Sequence, residues 1–184
     1  MLIVVSPAKA LDFDSPLPTE KHSQPSMLKR SKELVGVLST KTPDDLRSLM
    51  SISDSLAELN FDRYQDWSTP FTTENSRPAI LTFSGDTYIG LDAGAKFNER
   101  DFTHAQKTLR ILSGLYGVLR PLDLIQPYRL EMGSKLETKS SKDLYGFWGS
   151  EITEKLNHDL LDSPGDSALI NLASNEYFKS VNPE

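Results

Sequence analysis

The sequence contains no cysteine. That single absence excludes disulfides, thiolate nucleophiles and Cys-ligated zinc or iron–sulfur centres, and it fits a reducing, cytoplasmic compartment. Long apolar runs are missing too. The longest, Leu2-Ile3-Val4-Val5, falls far short of the ~20 residues of a membrane helix. It is also shorter than the roughly 7 of a signal-peptide core, and no basic segment precedes it. It reads as a buried first strand, with no membrane partner expected. Histidine is scarce: His22, His104 and His158 are scattered and share no helical ligand spacing. No metal and no cofactor is expected, and each histidine reads as a surface residue. Nor is there an excess of basic charge. At a net −6 over 184 residues, a general nucleic-acid coat is excluded.

Recognised catalytic signatures are absent as well. No G-x-S-x-G elbow and no G-x-G-x-x-G turn occur. Gly85-Asp-Thr-Tyr-Ile-Gly90 has the glycine spacing of a P-loop, but Leu91 and Asp92 stand where Lys and Ser or Thr are required, so it reads as a turn after a strand.

Apolar residues make up 38% of the chain, enough for a folded core. Three short apolar runs, Leu2–Val5, Ala79–Phe83 and Ala168–Leu172, predict buried strands, each followed at once by small polar residues. Residues 14–26 read as a loop. Helices are predicted over Ser26–Leu38, from Thr42 to near Ser51 with Pro43 at the first helical position, and from Ser53-Asp54 to about Leu59. Two more are predicted over Asp101–Ser113, with Gly114 as the stop, and over Asp143–Leu161. The fold class is therefore α/β (mixed), a central parallel or mixed sheet with flanking helices in one domain spanning 1–184. Three strands make a thin sheet whose last member needs a neighbour, so C-terminal truncation of a longer protein is the expectation.

Charge is unevenly distributed. Residues 151–184 hold two basic residues and seven acidic ones, whereas Lys107–Lys142 holds seven basic residues against Asp123, Glu131 and Glu137. A local basic surface inside an acidic chain is expected. Within that stretch Pro121 and Pro127 bias their predecessors towards extended backbone. Arg120, Asp123, Tyr128, Arg129 and Glu131 are then projected from a braced loop. Two arginines on such a loop suit an anion clamp. Alternatively Arg120–Asp123 and Arg129–Glu131 are ion pairs that brace the loop itself. Both readings stand at this point. In open α/β sheets ligands bind beyond the strand C-termini. Those ends carry Ser6 and Lys9, then Asp86 and Tyr88, then Asn175, Glu176 and Lys179, and a polar groove is expected where they converge.

Residues 42–60 form a second candidate, a helix-hairpin-helix-like pair. In such a motif a tight turn offers backbone N–H groups to a phosphate. Ser51 and Ser53 occupy the positions of the turn glycines, and Ile52 is the pin between them. Serine lacks glycine's backbone freedom, and Asp44, Asp45, Asp54 and Glu58 surround a lone Arg47. An ordinary helical corner packed on the core is the alternative.

Several of these segments also carry a resemblance. Ser6-Pro-Ala-Lys9, Gly85–Gly90, the run SGLYGVLRPLDLIQPYRLEMG, Asp143-Leu-Tyr-Gly-Phe-Trp148 and Asn171-Leu-Ala-Ser-Asn-Glu-Tyr-Phe-Lys179 resemble the bacterial YaaA family of peroxide-stress-resistance proteins along the whole chain. Family members continue beyond the position of residue 184 into a Lys-Lys-Ala-Arg-Gly segment. The resemblance implies a cytoplasmic protein that limits damage by free iron under peroxide stress. It also implies DNA binding through a hairpin falling on Ser51–Ser53 and a positive cleft falling on Lys9, Arg120, Arg129 and Lys179. An enzyme acting on a small anionic, nucleotide-like substrate in the same groove is the alternative, since plain phosphate binding does not need so many carboxylates. Direct iron chelation is a third reading, weakened by the poor ligand set.

Overall fold

The computed structural model describes residues 1–182. The chain opens with β1 (Leu2–Val5) and β2 (Ala10–Leu11), then helices α1 (Leu28–Leu38), α2 (Pro43–Met50) and α3 (Asp54–Asp66). Next come β3 (Arg77–Pro78), α4 (Ala79–Thr82), β4 (Phe83–Ser84), α5 (Asp86–Leu91), α6 (Ala93–Lys96) and α7 (Glu99–Thr108). The remainder is β5 (Leu109–Ser113), β6 (Gly117–Leu119), β7 (Leu124–Ile125), α8 (Leu144–Trp148), α9 (Glu151–Asp162), β8 (Leu169–Asn171) and α10 (Asn175–Phe178).

The main sheet has four strands in the order β6-β5-β1-β8. β1 runs parallel to both β5 and β8, while β6 folds back antiparallel on β5. Helical cover on the parallel strands requires apolar side chains on both faces, and Leu2, Val4, Ile111 and Leu112 are fully buried. At the outer edge β8 is not the buried strand expected, with Ile170 40% exposed and Leu172, just beyond it, 67% exposed. A buried ion pair, Arg110 Nε to Asp159 Oδ2 at 2.6 Å, ties β5 to α9. Gln106 and Leu109 carbonyls accept the remaining Arg110 hydrogen bonds, which a guanidinium needs when it leaves water.

Local chemistry fixes several boundaries. Thr42 and Asp45 form a reciprocal capping box at α2, with Pro43 first in the helix. Asn98 and Asp101 do the same for α7.

Four expectations need correction. The run Ala79–Phe83 is not a strand: Ala79–Thr82 makes one helical turn, whose Ala79 and Ile80 N–H groups donate to the Asp123 and Pro121 carbonyls. A short apolar run buried on all sides carries no period that separates strand from helix. The helix beginning near Asp101 stops at Thr108, and Leu109–Ser113 is a central strand. Gly114 is accordingly not a helix stop. The Asp143–Leu161 pattern is two helices, broken where Gly149 adopts φ 51°.

Candidate functional site

Val5, Ser113 and Asn171 end three parallel strands on one edge of the sheet. Small polar residues stitch those ends together. Ser6 Oγ accepts the Ser174 N–H at 2.9 Å and donates to Ser174 Oγ at 3.3 Å, joining the segments that leave β1 and β8. Tyr88, from α5, donates its hydroxyl to the Ser6 carbonyl at 2.9 Å. The Ser113 and Tyr128 hydroxyls pair at 2.7 Å.

Over this edge runs the segment Tyr128–Gly133. It passes so close to the end of β5 that a Cβ on Gly114 would sit 2.4 Å from the Leu130 carbonyl oxygen. Only glycine permits that approach. Tyr64, on α3, donates its hydroxyl to the Arg129 carbonyl and fixes the backbone from the other side. Glu131 then bridges two cations, Lys9 Nζ at 3.0 Å and Arg129 Nη2 at 3.2 Å. Further along, the Gly133 N–H donates to Glu176 Oε1 at 2.8 Å, and Tyr145 donates to the Glu176 carbonyl at 2.9 Å. Lys179 Nζ lies 4.9 Å from the centre of the Tyr145 ring, within reach of its negative face.

Electrostatics narrows what these groups can do. Burial pushes the Tyr88 and Tyr128 hydroxyls well above the ordinary tyrosine range. Burial, then the charges of Glu176 and Glu131, do the same to Tyr177. All three stay protonated at neutral pH and do not act as bases. The cavity between Lys9, Tyr128, Glu131 and Tyr177 is only about 20 Å³, room for one water. A larger open cleft of about 610 Å³ lies between α2 and residues 133–137, with Lys41, Asp45, Ser51, Lys135 and Glu137 on its walls.

Of the residues expected to converge, Ser6, Lys9, Tyr88, Tyr128, Arg129, Glu131 and Glu176 do, and Lys179 stands at the rim beside Tyr145. Asn175 and Asp86 are the exposed first residues of α10 and α5. Arg120 and Asp123 do not join them. β6 runs back along β5, with Leu119 opposite Ile111, so Arg120 and Asp123 emerge toward the opposite end of the sheet. There Arg120 uses its own N–H and its guanidinium on Asp123, at 2.8 to 3.1 Å, and reaches the Gln24 carbonyl at 3.2 Å. Ser23 donates to the same Asp123 at 2.6 Å.

The α2–α3 turn is a tight corner. Ser51 takes the left-handed conformation (φ 51°, ψ 52°), and its N–H and that of Ile52 both donate to the Arg47 carbonyl. Ser53 caps α3, its hydroxyl accepting from Leu56 N–H at 3.4 Å, and Ile52 packs on the core. Two of the turn's N–H groups are thus satisfied within the chain. Arg47 is paired with Asp44 and Asp54 at 3.2 and 3.4 Å.

Ser113 and Tyr145 belong to the site but were not anticipated from the sequence. Ser113 had a signal, since it ends the apolar run 109–112 as Ser6 ends Leu2–Val5; Tyr145 had only its place in the Asp143–Trp148 segment. Among the described residues no group of three or more His, Asp or Glu side chains gathers, and no helix is long and apolar enough to cross a membrane.

Together these features define a mixed α/β protein with a polar, carboxylate-bridged groove at the C-terminal ends of its parallel strands. Comparison with known proteins gives the family. The pattern of the family described as "Peroxide stress protein YaaA" matches residues 1–184, and the chain belongs to that family. It is 57% identical over 184 residues to a UPF0246 protein of Saccharophagus degradans, covering all of this chain and 71% of that protein. It is 56% identical over the same span to a UPF0246 protein of Aliivibrio fischeri strain MJ11, covering 70% of it.

Proposed function

We propose that this member of the peroxide stress family acts in the cytoplasm by binding DNA along the cationic rim of the groove, and so limits the damage that free iron does to it. The observation that carries the reading is the convergence of Lys9, Arg129 and Lys179 at the strand ends, with Lys9 63% exposed. Backbone charges of DNA demand such a rim and no sequence-specific chemistry. The cleft beside the Ser51, Ile52 and Ser53 turn adds little to that rim, because Lys41 and Lys135 share its walls with Asp45 and Glu137. The acidic residues beside that turn give the hairpin a smaller share than the groove. The test is duplex affinity against salt. Lys9→Gln, Arg129→Gln and Lys179→Gln should each flatten the slope by about one unit. A slope unchanged in all three contradicts the reading.

One observation favours a second reading, an enzyme acting on a small anionic or nucleotide-like substrate. Glu131 lies at the centre of the cations and competes with any phosphate there, an arrangement better suited to proton transfer than to plain backbone binding. Glu131→Gln separates the two. It should tighten DNA binding if the groove is a rim for DNA, and abolish turnover if it is an active site.

A further inference from the structure

The two edges of the main sheet are finished differently. β6 is buried at all three of its residues. β8 is Leu169-Ile170-Asn171, without the charge or proline that keeps many sheet edges from pairing. Its hydrogen bonds show which backbone groups are already used. The Leu2 N–H donates to the Ala168 carbonyl and the Leu172 N–H to the Val4 carbonyl, both at 2.9 Å. The even-numbered residues of this strand therefore face β1, and the alternate ones face away from it. The backbone N–H and C=O groups of Leu169 and Asn171 point outward, and none of them meets a partner among the described residues.

Beside this edge lies a cleft of about 530 Å³ between α9, β8 and residues 178–182. Leu156, Leu169, Phe178 and Val181 form its apolar lining, and Glu154 is the one charged residue on its walls. On the other face of β8, Ile170 is exposed and Leu172 follows it. One extended segment laid along β8 answers all three features. Its backbone pairs with Leu169 and Asn171. The side chain opposite Leu169 shares that residue's face and enters the cleft, and the next one covers Ile170. A basic residue on such a segment suits Glu154, since no lining residue of the cleft is cationic.

The longer relatives contain polypeptide that can supply it. The match covers 71% and 70% of two of them, so more than a quarter of each lies outside it, ample for a strand of five or six residues. We propose that the outer edge of β8 and its cleft are the docking site of a basic, extended segment from that additional part of the family's longer members. The segment adds a fifth strand to the main sheet, a mode of recognition in which backbone bonds hold the strand and a side-chain pocket selects it.

Amide hydrogen exchange tests this residue by residue. In the 184-residue protein the Leu169 and Asn171 amides should exchange freely, while Ile170, bonded to β1, is protected. In the full-length Saccharophagus degradans protein the positions matched to Leu169 and Asn171 should exchange at least about tenfold more slowly. Supplied as a separate polypeptide, the remainder of that protein should bind the 184-residue protein and confer the same protection. Glu154→Lys, which puts a cation where the basic segment docks, should weaken that binding about threefold. Free exchange at the two matched positions of the full-length relative overturns the proposal. So does a remainder that fails to bind, or that binds Glu154→Lys equally well. Protection of Leu169 and Asn171 in the 184-residue protein alone, rising with its concentration, also overturns it and assigns the edge to a second copy of the chain.

Discussion

Arg120 and Arg129 lie nine residues apart on one extended stretch, and each is followed within three residues by an acid. In the sequence they are twins. In the fold they have opposite uses. Arg120 directs its donors into the fold, on the Asp123 carboxylate of its own loop, which is 1% exposed, and on the distant Gln24 carbonyl. Arg129 shares its acid with Lys9 and keeps Nε unpartnered. What separates them is which end of the sheet the chain has reached. The antiparallel return of β6 carries Arg120 away from the strand C-termini, and the run after β7 brings Arg129 back over them. An arginine whose donors are directed at fixed acceptors of its own chain braces the fold; one that shares its acid with a second cation can hold a ligand.

The largest expected effect falls on the brace. Arg120→Ala leaves a buried carboxylate without its cation and should cost about 3 kcal/mol, the low end for breaking a buried pair because Arg120 is partly exposed. Chemical denaturation measures this, and duplex affinity of the folded variant should be unchanged. Next is Gly114→Ala, whose Cβ would collide with backbone at Leu130 and Glu131. A destabilisation of about 2 kcal/mol is expected, together with weaker binding because Arg129 is displaced. A melt like wild type would mean that the close crossing is not needed.

Arg129→Gln should show the reverse profile. Glu131 keeps Lys9 as a partner, so the loss of stability should stay below about 1 kcal/mol, while duplex affinity falls about tenfold or more. Circular-dichroism melts and fluorescence anisotropy on one sample give both numbers. The smallest effect concerns pH. Burial pushes the Asp123 carboxyl up, against the hydrogen bond from Ser23 and the charge of Arg120. A carboxyl raised in the folded state binds its proton more tightly there, so its contribution to stability falls as pH rises from the unfolded value near 3.8 through the folded one. Asp12 has the opposite sign. The Ser15 hydroxyl, with the Ser15 and Asp14 N–H groups, lowers it to about 2, so its contribution is full above 3.8 and is lost as pH falls towards 2. Urea midpoints from pH 2 to 6 should change slope in opposite directions for Asp123→Asn and Asp12→Asn.

Much of the groove was legible in the sequence because the signal is local. An apolar run that ends in small polar residues marks a strand C-terminus, and Ser6, Lys9, Glu176 and Lys179 follow from it. β5 was not legible. Ala105, Leu109 and Leu112 satisfy a helical period, while Leu109–Ser113 equally satisfies a doubly buried strand, and nothing in spacing marks Thr108 as the boundary. Arg120 was misplaced for a different reason. Sequence spacing records that a chain turns but not which end of a sheet it reaches.

Arg120 and Arg129 differ in what they hold, and the salt dependence of duplex binding measures that difference directly. Affinities of wild type, Arg120→Gln and Arg129→Gln, each taken below its melting transition, should give a log–log slope about one unit shallower for Arg129→Gln and unaltered for Arg120→Gln. Equal slopes for the two variants, or a shallower slope for Arg120→Gln alone, would contradict it.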